Sequence, residues 1–212
     1  MDQSRDEADR RNAFESAIGG EYFALNGLRA STTSEASTRA TIYFTTMSGT
    51  LLALGFLAGS TDAVAPVAYA AVPTVAVLGL LGFLRLVELA ALDLRALQSI
   101  QRVRAYWRDL VPEGAEFFPA PTSSQAVDVV LDTGERRGLF RATLTIAASV
   151  GLVNSLWIAA GVAFAADDLG VEPAVAVVIG VVVGVVLAAV LFRHQIRRMG
   201  YVVGDRIPSS MS

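Results

Sequence analysis

The stretch from Ala63 to Leu110, AVAPVAYAAVPTVAVLGLLGFLRLVELAALDLRALQSIQRVRAYWRDL, decides the fold of this chain. Its first half, up to Leu84, contains no charged residue, whereas charged residues alternate with apolar ones from Arg85 onward. At about 1.5 Å per residue, the apolar half covers about 30 Å, the thickness of a bilayer's hydrocarbon core. Since no Gly or Pro interrupts the charged half, the stretch predicts one helix that leaves the membrane as a cytosolic stalk.

The composition is typical of a helical membrane protein. Apolar residues make up 53% of the chain, and the mean hydropathy is +0.51. The net charge of -3 gives no indication of a nucleic-acid partner. The absence of Cys excludes disulfides, thiolate zinc sites, iron–sulfur clusters and a cysteine nucleophile.

Three further segments are apolar and long enough to cross a bilayer, so the sequence predicts an all-α, polytopic membrane protein with four transmembrane helices. The predicted division has five parts: a cytosolic N-terminal helical region (1–38), a first transmembrane hairpin (39–84), the cytosolic stalk helix and its connector (85–138), a second transmembrane hairpin (139–192) and a cytosolic basic tail (193–212).

The N-terminal region contains a modest amphipathic helix from Asn12 to Arg29, with apolar residues at spacings of three and four. This helix is expected either to pack on the stalk or to lie on the membrane surface; its acidic residues favour packing on protein. The segment Ser31–Glu35 is predicted to break the helix and to cap the next one, because Thr32 and Glu35 have capping-box spacing. Residues 1–39 lack the apolar core of a secretory signal, so this segment is expected to be retained.

The stalk has an apolar stripe. Its members recur at spacings of three and four and include Leu89, Leu92, Ile100, Val103 and Trp107. An isolated helix in water gains nothing from such a stripe, so another helix is expected to cover it, from this chain or from a second copy. These five residues are the predicted stalk assembly surface.

The distribution of Arg predicts the orientation. All seventeen basic residues are Arg, and every one falls in 1–39, in 85–141 or in the C-terminal tail. The two short turns on the other side instead contain Asp62, Asp167, Asp168 and Glu172. Because positive charge stays on the cytoplasmic side, both termini are expected inside the cell and the protein in the bacterial cytoplasmic membrane.

Small and polar residues within the spans are the candidates for helix packing or a pore. Gly55 with Gly59, and Gly180 with Gly184, have the spacing that allows two helices to approach closely. Asn154 is the one strongly polar residue in the third span and needs hydrogen-bond partners there. It is interpreted as a bond between helices of one chain, with a pore lining or an oligomer contact as the alternatives.

The arginines after the fourth span, Arg193, Arg197 and Arg198, are candidates for binding anionic lipid headgroups, in addition to anchoring the topology. With Arg136, Arg137 and Arg141 they form the basic clusters nearest the second hairpin. The lipid bilayer is therefore the first expected partner.

No catalytic or metal site is predicted. Asp132-Thr133-Gly134 is similar to the Asp-Thr-Gly loop of aspartic proteases, but those enzymes need a β-rich domain for which this region is too short. The only histidine, His194, has no potential co-ligands at metal-binding spacing. The chain is therefore expected to be non-enzymatic and to hold no cofactor.

The run with Tyr22-Phe23, Arg29, Ser34-Glu35, Arg39, Tyr43 and Ala53-Leu54-Gly55-Phe56 resembles small, uncharacterised four-span membrane proteins of GC-rich bacteria. In layout only, the chain is similar to SLATT-type membrane effector domains of bacterial conflict systems, which are proposed to form pores. The function predicted from these features is an oligomeric membrane module, in one form a pore-forming effector, with its interaction surface in the cytosol. Its partner would be a second copy or a cytosolic protein; a channel or transporter subunit is the alternative.

Overall fold

The computed structural model describes residues 2–59, 61–117 and 145–204. All regular structure within these residues is helical, which confirms the all-α prediction. The four helices are each long and apolar enough to cross a membrane. They are α1 (Asp2–Leu57), α2 (Thr61–Leu110), α3 (Ile146–Asp168) and α4 (Pro173–Gly204), with a short 3-10 helix (Pro112–Phe117) after α2.

Helix α2 confirms that the deciding stretch is one uninterrupted helix. It begins at Thr61 and ends at Leu110, and Pro66 and Pro73 both lie inside it. It ends where the sequence predicts, because Pro112 has no amide hydrogen to continue the ladder. The Leu, Ala, Arg and Gln residues of its second half all favour the helix, which explains why it continues past the apolar half.

The predicted helix break at Ser31–Glu35 is wrong. Helix α1 runs through this segment without interruption from Asp2 to Leu57. The Thr32 hydroxyl donates a hydrogen bond to the carbonyl oxygen of Arg29 within the same helix, at 2.9 Å. Glu35 pairs with arginines instead of capping a helix start. The polar side chains therefore find partners that leave the backbone helical, and the capping-box spacing is coincidental.

Helices α3 and α4 differ from their predicted bounds. Thr145 caps α3 by accepting a hydrogen bond from the Ala148 amide at 3.1 Å. Helix α4 continues beyond residue 192, where the fourth span was expected to end, as far as Gly204. The predicted connector from residue 118, the Asp132-Thr133-Gly134 motif, Arg136, Arg137, Arg141 and the end of the tail lie outside the described residues.

The chain divides into two compact units. Unit 1 comprises, among the described residues, 2–34 of α1, 90–117 and the last residues of α4, 202–204. Within it the two helix segments pack side by side: Phe14 contacts Tyr106 with ring centroids 5.7 Å apart, and Tyr22 contacts Trp107 at 5.1 Å. The N-terminal helix therefore packs on the stalk, which was one of the two predicted alternatives.

The core of unit 1 lies along the stalk stripe. Leu97 and Ile100 are 2% exposed, and Gln101 is fully buried beside them. A salt bridge between Arg29 and Asp93, with an Nε–Oδ1 distance of 2.9 Å, joins the two helix segments at one end of this core. Burial of the aliphatic residues stabilises the pairing, since each contributes about 1.5–3 kcal/mol when fully buried.

Unit 2 comprises residues 35–89 of α1 and α2 together with α3 and most of α4. Its core is formed by side chains from all four helices, including Tyr43, Phe83, Trp157 and Leu191. Tyr69, near the start of α2, donates a hydrogen bond to Asp168 at the end of α3, with a distance of 2.8 Å. The α1–α2 and α3–α4 turns therefore lie at the same end of unit 2.

Candidate functional site

The interior of unit 2 contains a polar group that links three helices. Asn154 on α3 is completely buried. Its Oδ1 accepts a hydrogen bond from the hydroxyl of Tyr43 on α1 at 3.3 Å. Its Nδ2 donates to the backbone carbonyl of Ala76 on α2 at 3.2 Å. Both ends of the amide are thus satisfied inside the unit, as a buried polar side chain requires.

Gly79 provides the space for this amide. A Cβ atom built at position 79 would overlap Oδ1 of Asn154 and would lie 2.6 Å from a ring carbon of Tyr43. No side chain fits there without displacing both partners, because real Cβ contacts are not so short. Gly79, Tyr43 and Asn154 therefore form one packing unit, in which the missing side chain on α2 allows the other two to meet.

A second polar contact joins α2 and α3 further along the unit. The indole Nε1 of Trp157 donates to the backbone carbonyl of Val72 at 3.0 Å. One turn later on α3, a Cβ at Gly161 would overlap a methyl group of Val72. The two helices therefore approach closely here, with a glycine opposite a valine and an indole hydrogen-bonded to the backbone.

Gly180 and Gly184 lie in the contact between α4 and α3. A Cβ at Gly180 would be 2.5 Å from the carbonyl oxygen of Ala159, and one at Gly184 would be 2.8 Å from the Cβ of the same alanine. The GxxxG spacing on α4 is thus used within this chain, against a small residue of the neighbouring helix. By contrast, a Cβ at Gly55 or Gly59 would meet no atom of the described part of the chain within 4 Å.

The predicted stalk residues are divided between core and surface. Leu89, in unit 2, and Ile100, in unit 1, are each 2% exposed. Val103 and Trp107 are half-buried, and Trp107 contacts Tyr22. Leu92 is 37% exposed. The stripe is therefore covered in part by the N-terminal segment of the same chain.

Charged residues lie at the end of unit 2 away from the two turns. Glu35 accepts hydrogen bonds from Arg85 at 3.0 Å and from Arg39 at 2.8 Å. These guanidinium groups, Arg85 first, hold the pKa of the Glu35 carboxyl below its ordinary value of 4.5. The arrangement ties α1 to α2 by a carboxylate shared between two arginines.

The candidate lipid-binding arginines are at this same end. Arg198 pairs with Glu88 of α2, with an Nη2–Oε1 distance of 2.8 Å. Arg193 and Arg197 are exposed, and neither forms an ion pair with another described residue. Helix α4 contains no acidic residue, and of these three arginines only Arg198 is paired with a carboxylate among the described residues.

Catalytic or metal-binding chemistry finds no support in the described part of the chain. No group of three or more His, Asp or Glu residues there is arranged to hold a metal ion. His194 is exposed on α4. The arrangement of the interior instead suits helix packing, because the side chains of Asn154 and Trp157 hydrogen-bond to neighbouring helices.

Sequence reasoning missed the partners of Asn154. Tyr43 is 1% exposed in the core, although tyrosine is commonly enriched at the membrane–water interface. Gly79 stands in a Leu- and Gly-rich run that gives no reason to single it out from Gly82. The weak signal available was the presence of one amide and two phenols, Tyr43 and Tyr69, among apolar spans, since such groups are most easily satisfied by each other.

Comparison with known proteins identifies no relative of this chain. No protein-family model, curated protein or solved structure matches the chain.

Proposed function

We propose that the chain is a non-enzymatic integral protein of the bacterial cytoplasmic membrane that acts as an oligomeric module. Unit 2 spans the bilayer, and unit 1, with both termini, lies in the cytosol. The oligomer is the functional form, and the cytosolic unit provides the surface for a partner protein. The length and apolar character of all four helices support the membrane part of this proposal.

The segregation of charge in unit 2 supports the proposed topology. The turns joined through Tyr69 and Asp168 lie at one end, and the paired arginines Arg85 and Arg198 lie at the other. Helix α3 has 23 residues, so it measures about 34 Å at 1.5 Å per residue, which fits a hydrocarbon core of about 30 Å. Arg at one end only is the pattern expected when that end is cytoplasmic.

One observation carries the proposal of self-assembly: α1 has an exposed stripe of mostly small residues, which lies beside the exposed large residues Ile42, Leu51 and Phe56. In unit 2, residues at heptad spacing on this helix are all exposed, and only one of them is large: Thr38, Thr41, Thr45, Ser48, Leu52 and Gly55. We call this set the α1 seam. The opposite face of the helix contains Tyr43 and Met47 and packs on the core.

The α1 seam suits close contact with another helix. Small residues at spacings of three and four allow two helix backbones to approach and to gain van der Waals contact, which in a membrane replaces the hydrophobic driving force. In the most apolar 18-residue segment of α1, only 11% of the residues are buried. This is the lowest fraction among the corresponding segments of the four helices. The same spacing continues backward in sequence through exposed small residues of unit 1: Ser34, Ser31, Gly27, Ala24 and Gly20.

The α1 seam is a better assembly surface than the stalk residues. Leu89 and Ile100 are already buried within the monomer, so they are not available to a second copy without opening it. The stalk then acts as the internal support of unit 1. Leu92, which is partly exposed, is the stripe member best placed to contact a partner.

A pore or channel is the second candidate function, and the hydroxyl groups on the α1 seam are the observation that favours it. Asn154 has both its polar ends bonded inside unit 2, so it does not favour a wet path through one copy. Seams from several copies facing a common axis would present Thr41, Thr45 and Ser48 to water. Ion flux from liposomes that contain the oligomer tests this alternative, and its absence counts against it.

The assembly experiment measures the mass of the protein in nanodiscs and compares two matched variants. Gly55→Leu introduces a large side chain on the α1 seam. Gly82→Leu introduces the same side chain on α2, also at a position where a Cβ meets nothing within 4 Å. A discrete oligomer that Gly55→Leu dissociates, and Gly82→Leu does not, is the expected result. A protein that stays monomeric at every protein-to-lipid ratio would exclude self-assembly.

A further inference from the structure

The part of α1 that lies in unit 1 contributes no buried side chain of its own between residues 5 and 31. We call residues 5–31, all of which the structure describes, the N-terminal cover. None of them is buried, although the stalk residues Leu97 and Ile100 are each 2% exposed. In unit 2 the same helix contributes Ala40 and Tyr43 to the core. Since tertiary packing is the main source of helix stability in proteins, the N-terminal cover is the less stable part of α1.

The contacts between the N-terminal cover and the stalk lie on one face of α2. The ring of Tyr22 packs on Trp107, and Arg29 pairs with Asp93. Ile100 lies seven residues from each of Asp93 and Trp107, and two helical turns place all three on the same face. The N-terminal cover therefore lies over this buried isoleucine. The side chains of Arg29 and Asp93 are 33% and 27% exposed, so their ion pair adds little stability to the contact.

Three glycines weaken the helix of the N-terminal cover: Gly19, Gly20 and Gly27. A Cβ at any of them would meet no atom of the described residues within 4 Å. Packing on the stalk therefore does not require these positions to lack a side chain, in contrast to Gly79, which makes room for Asn154 in unit 2. In a helix, glycine is less favourable than alanine, because it loses more backbone freedom on folding. The three glycines thus lower the stability of the cover without improving its contact with the stalk.

The stalk beneath the N-terminal cover has the opposite character. Residues 90–110 contain no Gly or Pro and are rich in Leu, Ala, Arg and Gln, which favour a helix. They also continue a helix that begins at Thr61, so they need no new nucleation. The stalk is therefore expected to stay helical when the N-terminal cover leaves it.

We propose that the N-terminal cover opens by local unfolding while the rest of the chain stays folded, and that the stalk face around Ile100 then binds a helix of a cytosolic partner. The face fits a helix that has an aromatic residue against Trp107 and, seven residues later, a cation against Asp93, as Tyr22 and Arg29 are arranged in the cover. The closed cover occupies this face, so it is an autoinhibitory contact. The assignment deepens the proposed function and rests on it, because the partner reaches the stalk only if unit 1 is cytosolic.

Hydrogen exchange followed by mass spectrometry, on the full chain in nanodiscs, tests the opening. The amides of the N-terminal cover are expected to exchange together and faster than those of residues 92–107. Gly19→Ala stabilises the closed helix, so it should slow exchange of the cover by about two- to fivefold. Gly49→Ala is the matched control: it is the same change in the unit 2 part of α1, also with no described atom within 4 Å of the new Cβ, and it should leave the cover unchanged.

A labelled synthetic peptide with the sequence of residues 5–31 tests the partner site by binding to the full chain. Only the open form can take the peptide, so Gly19→Ala in the protein should weaken binding by the same factor by which it slows exchange. Gly19 lies off the heptad spacing of the α1 seam, so this change leaves the proposed self-assembly surface intact. A control peptide with Tyr22→Ala and Arg29→Ala lacks the two contacting side chains and should bind at least several-fold more weakly.

Exchange of the N-terminal cover as slow as that of residues 92–107, or equal effects of Gly19→Ala and Gly49→Ala, would overturn the opening. No peptide binding, or binding that Gly19→Ala does not change, would overturn the partner site. Both results leave the membrane assignment standing. Failure of the unmodified protein to co-elute with nanodiscs is seen before either measurement, and it would overturn the proposed function, so the failures are distinguishable.

Discussion

The hydroxyl of Tyr43 on α1 donates to Oδ1 of Asn154 on α3 across 3.3 Å, although the two residues are 111 positions apart in the chain. The same amide donates to α2 through the carbonyl of Ala76. One buried side chain thus fixes the positions of three helices in unit 2. In an apolar interior this arrangement specifies one register, because any shift leaves polar groups without partners.

Replacing Asn154 is expected to destabilise unit 2. Asn154→Leu removes both hydrogen bonds and leaves the Tyr43 hydroxyl unsatisfied, so the free energy of unfolding should fall by about 1–2 kcal/mol. Tyr43→Phe, which removes only one of the bonds, should cost about 0.5 kcal/mol. Reversible unfolding in mixed micelles measures both. A double-mutant cycle with no coupling between the two positions would contradict the assignment.

Gly79 should tolerate no side chain, unlike a neighbouring glycine. Gly79→Ala places a methyl group onto the Asn154 amide and should cost about 1–3 kcal/mol through overpacking. Gly82→Ala, one turn later on α2, meets nothing within 4 Å and should be neutral or stabilise by about 0.5–1 kcal/mol. The midpoint of thermal unfolding in detergent distinguishes them, and equal midpoints would count against the packing described.

The contact between α3 and α4 should depend on Gly180. Gly180→Ala brings a methyl carbon to 2.5 Å from the Ala159 carbonyl oxygen, so the helices must separate, at a cost of about 1–3 kcal/mol. Gly55→Ala serves as the control, measured in detergent at a concentration where the protein is monomeric, and it should be neutral or raise the unfolding free energy by about 0.5–1 kcal/mol. If both variants unfold alike, α4 does not pack on α3 through this glycine.

The pairing of Glu35 with Arg85 and Arg39 predicts a pH-dependent stability. Because the pKa of Glu35 is lowered on folding, its contribution is present above the unfolded value, near 4.5, and is lost as the pH falls through the folded value. Glu35→Gln should therefore unfold more easily than the unmodified protein at pH 7. The difference should shrink in acid as the pH falls below 4.5 and through the lowered pKa of the folded state, because the Glu35 carboxyl then becomes neutral like the glutamine amide. A difference that is the same at both pH values would exclude this linkage.

Two members of the stalk stripe should respond differently to the same change. Ile100→Glu buries a carboxylate at a position that is 2% exposed, so unit 1 should open and become sensitive to proteases. Leu92→Glu adds the same charge at a position that is 37% exposed, and unit 1 should remain closed. Limited proteolysis with trypsin, which cuts at the many arginines of the stalk, reports the outcome. Equal protection of both variants would show that the N-terminal segment does not cover the stripe.

The sequence by itself determined the helical class and the number of apolar helices. These features depend on local properties, namely the length of an apolar run, the position of Pro112 and the absence of helix breakers in 85–110. It also determined that a covered stripe exists on the stalk, since apolar residues at helical spacing need a neighbour. The helix break predicted at Ser31–Glu35 was wrong. A capping motif competes with side-chain partners that are distant in sequence, and a local pattern does not reveal those partners.

Only the tertiary structure decided which surfaces are used and which remain open. Gly180 and Gly55 have the same motif spacing, but one packs on Ala159 and the other on none of the residues that the structure describes. Tyr43 and Asn154 are joined only because Gly79, on a third helix, leaves room for them. The helical repeat determines which residues share a face of a helix. Which helix packs against that face depends on the packing of the whole unit, and a local sequence pattern carries no information about it.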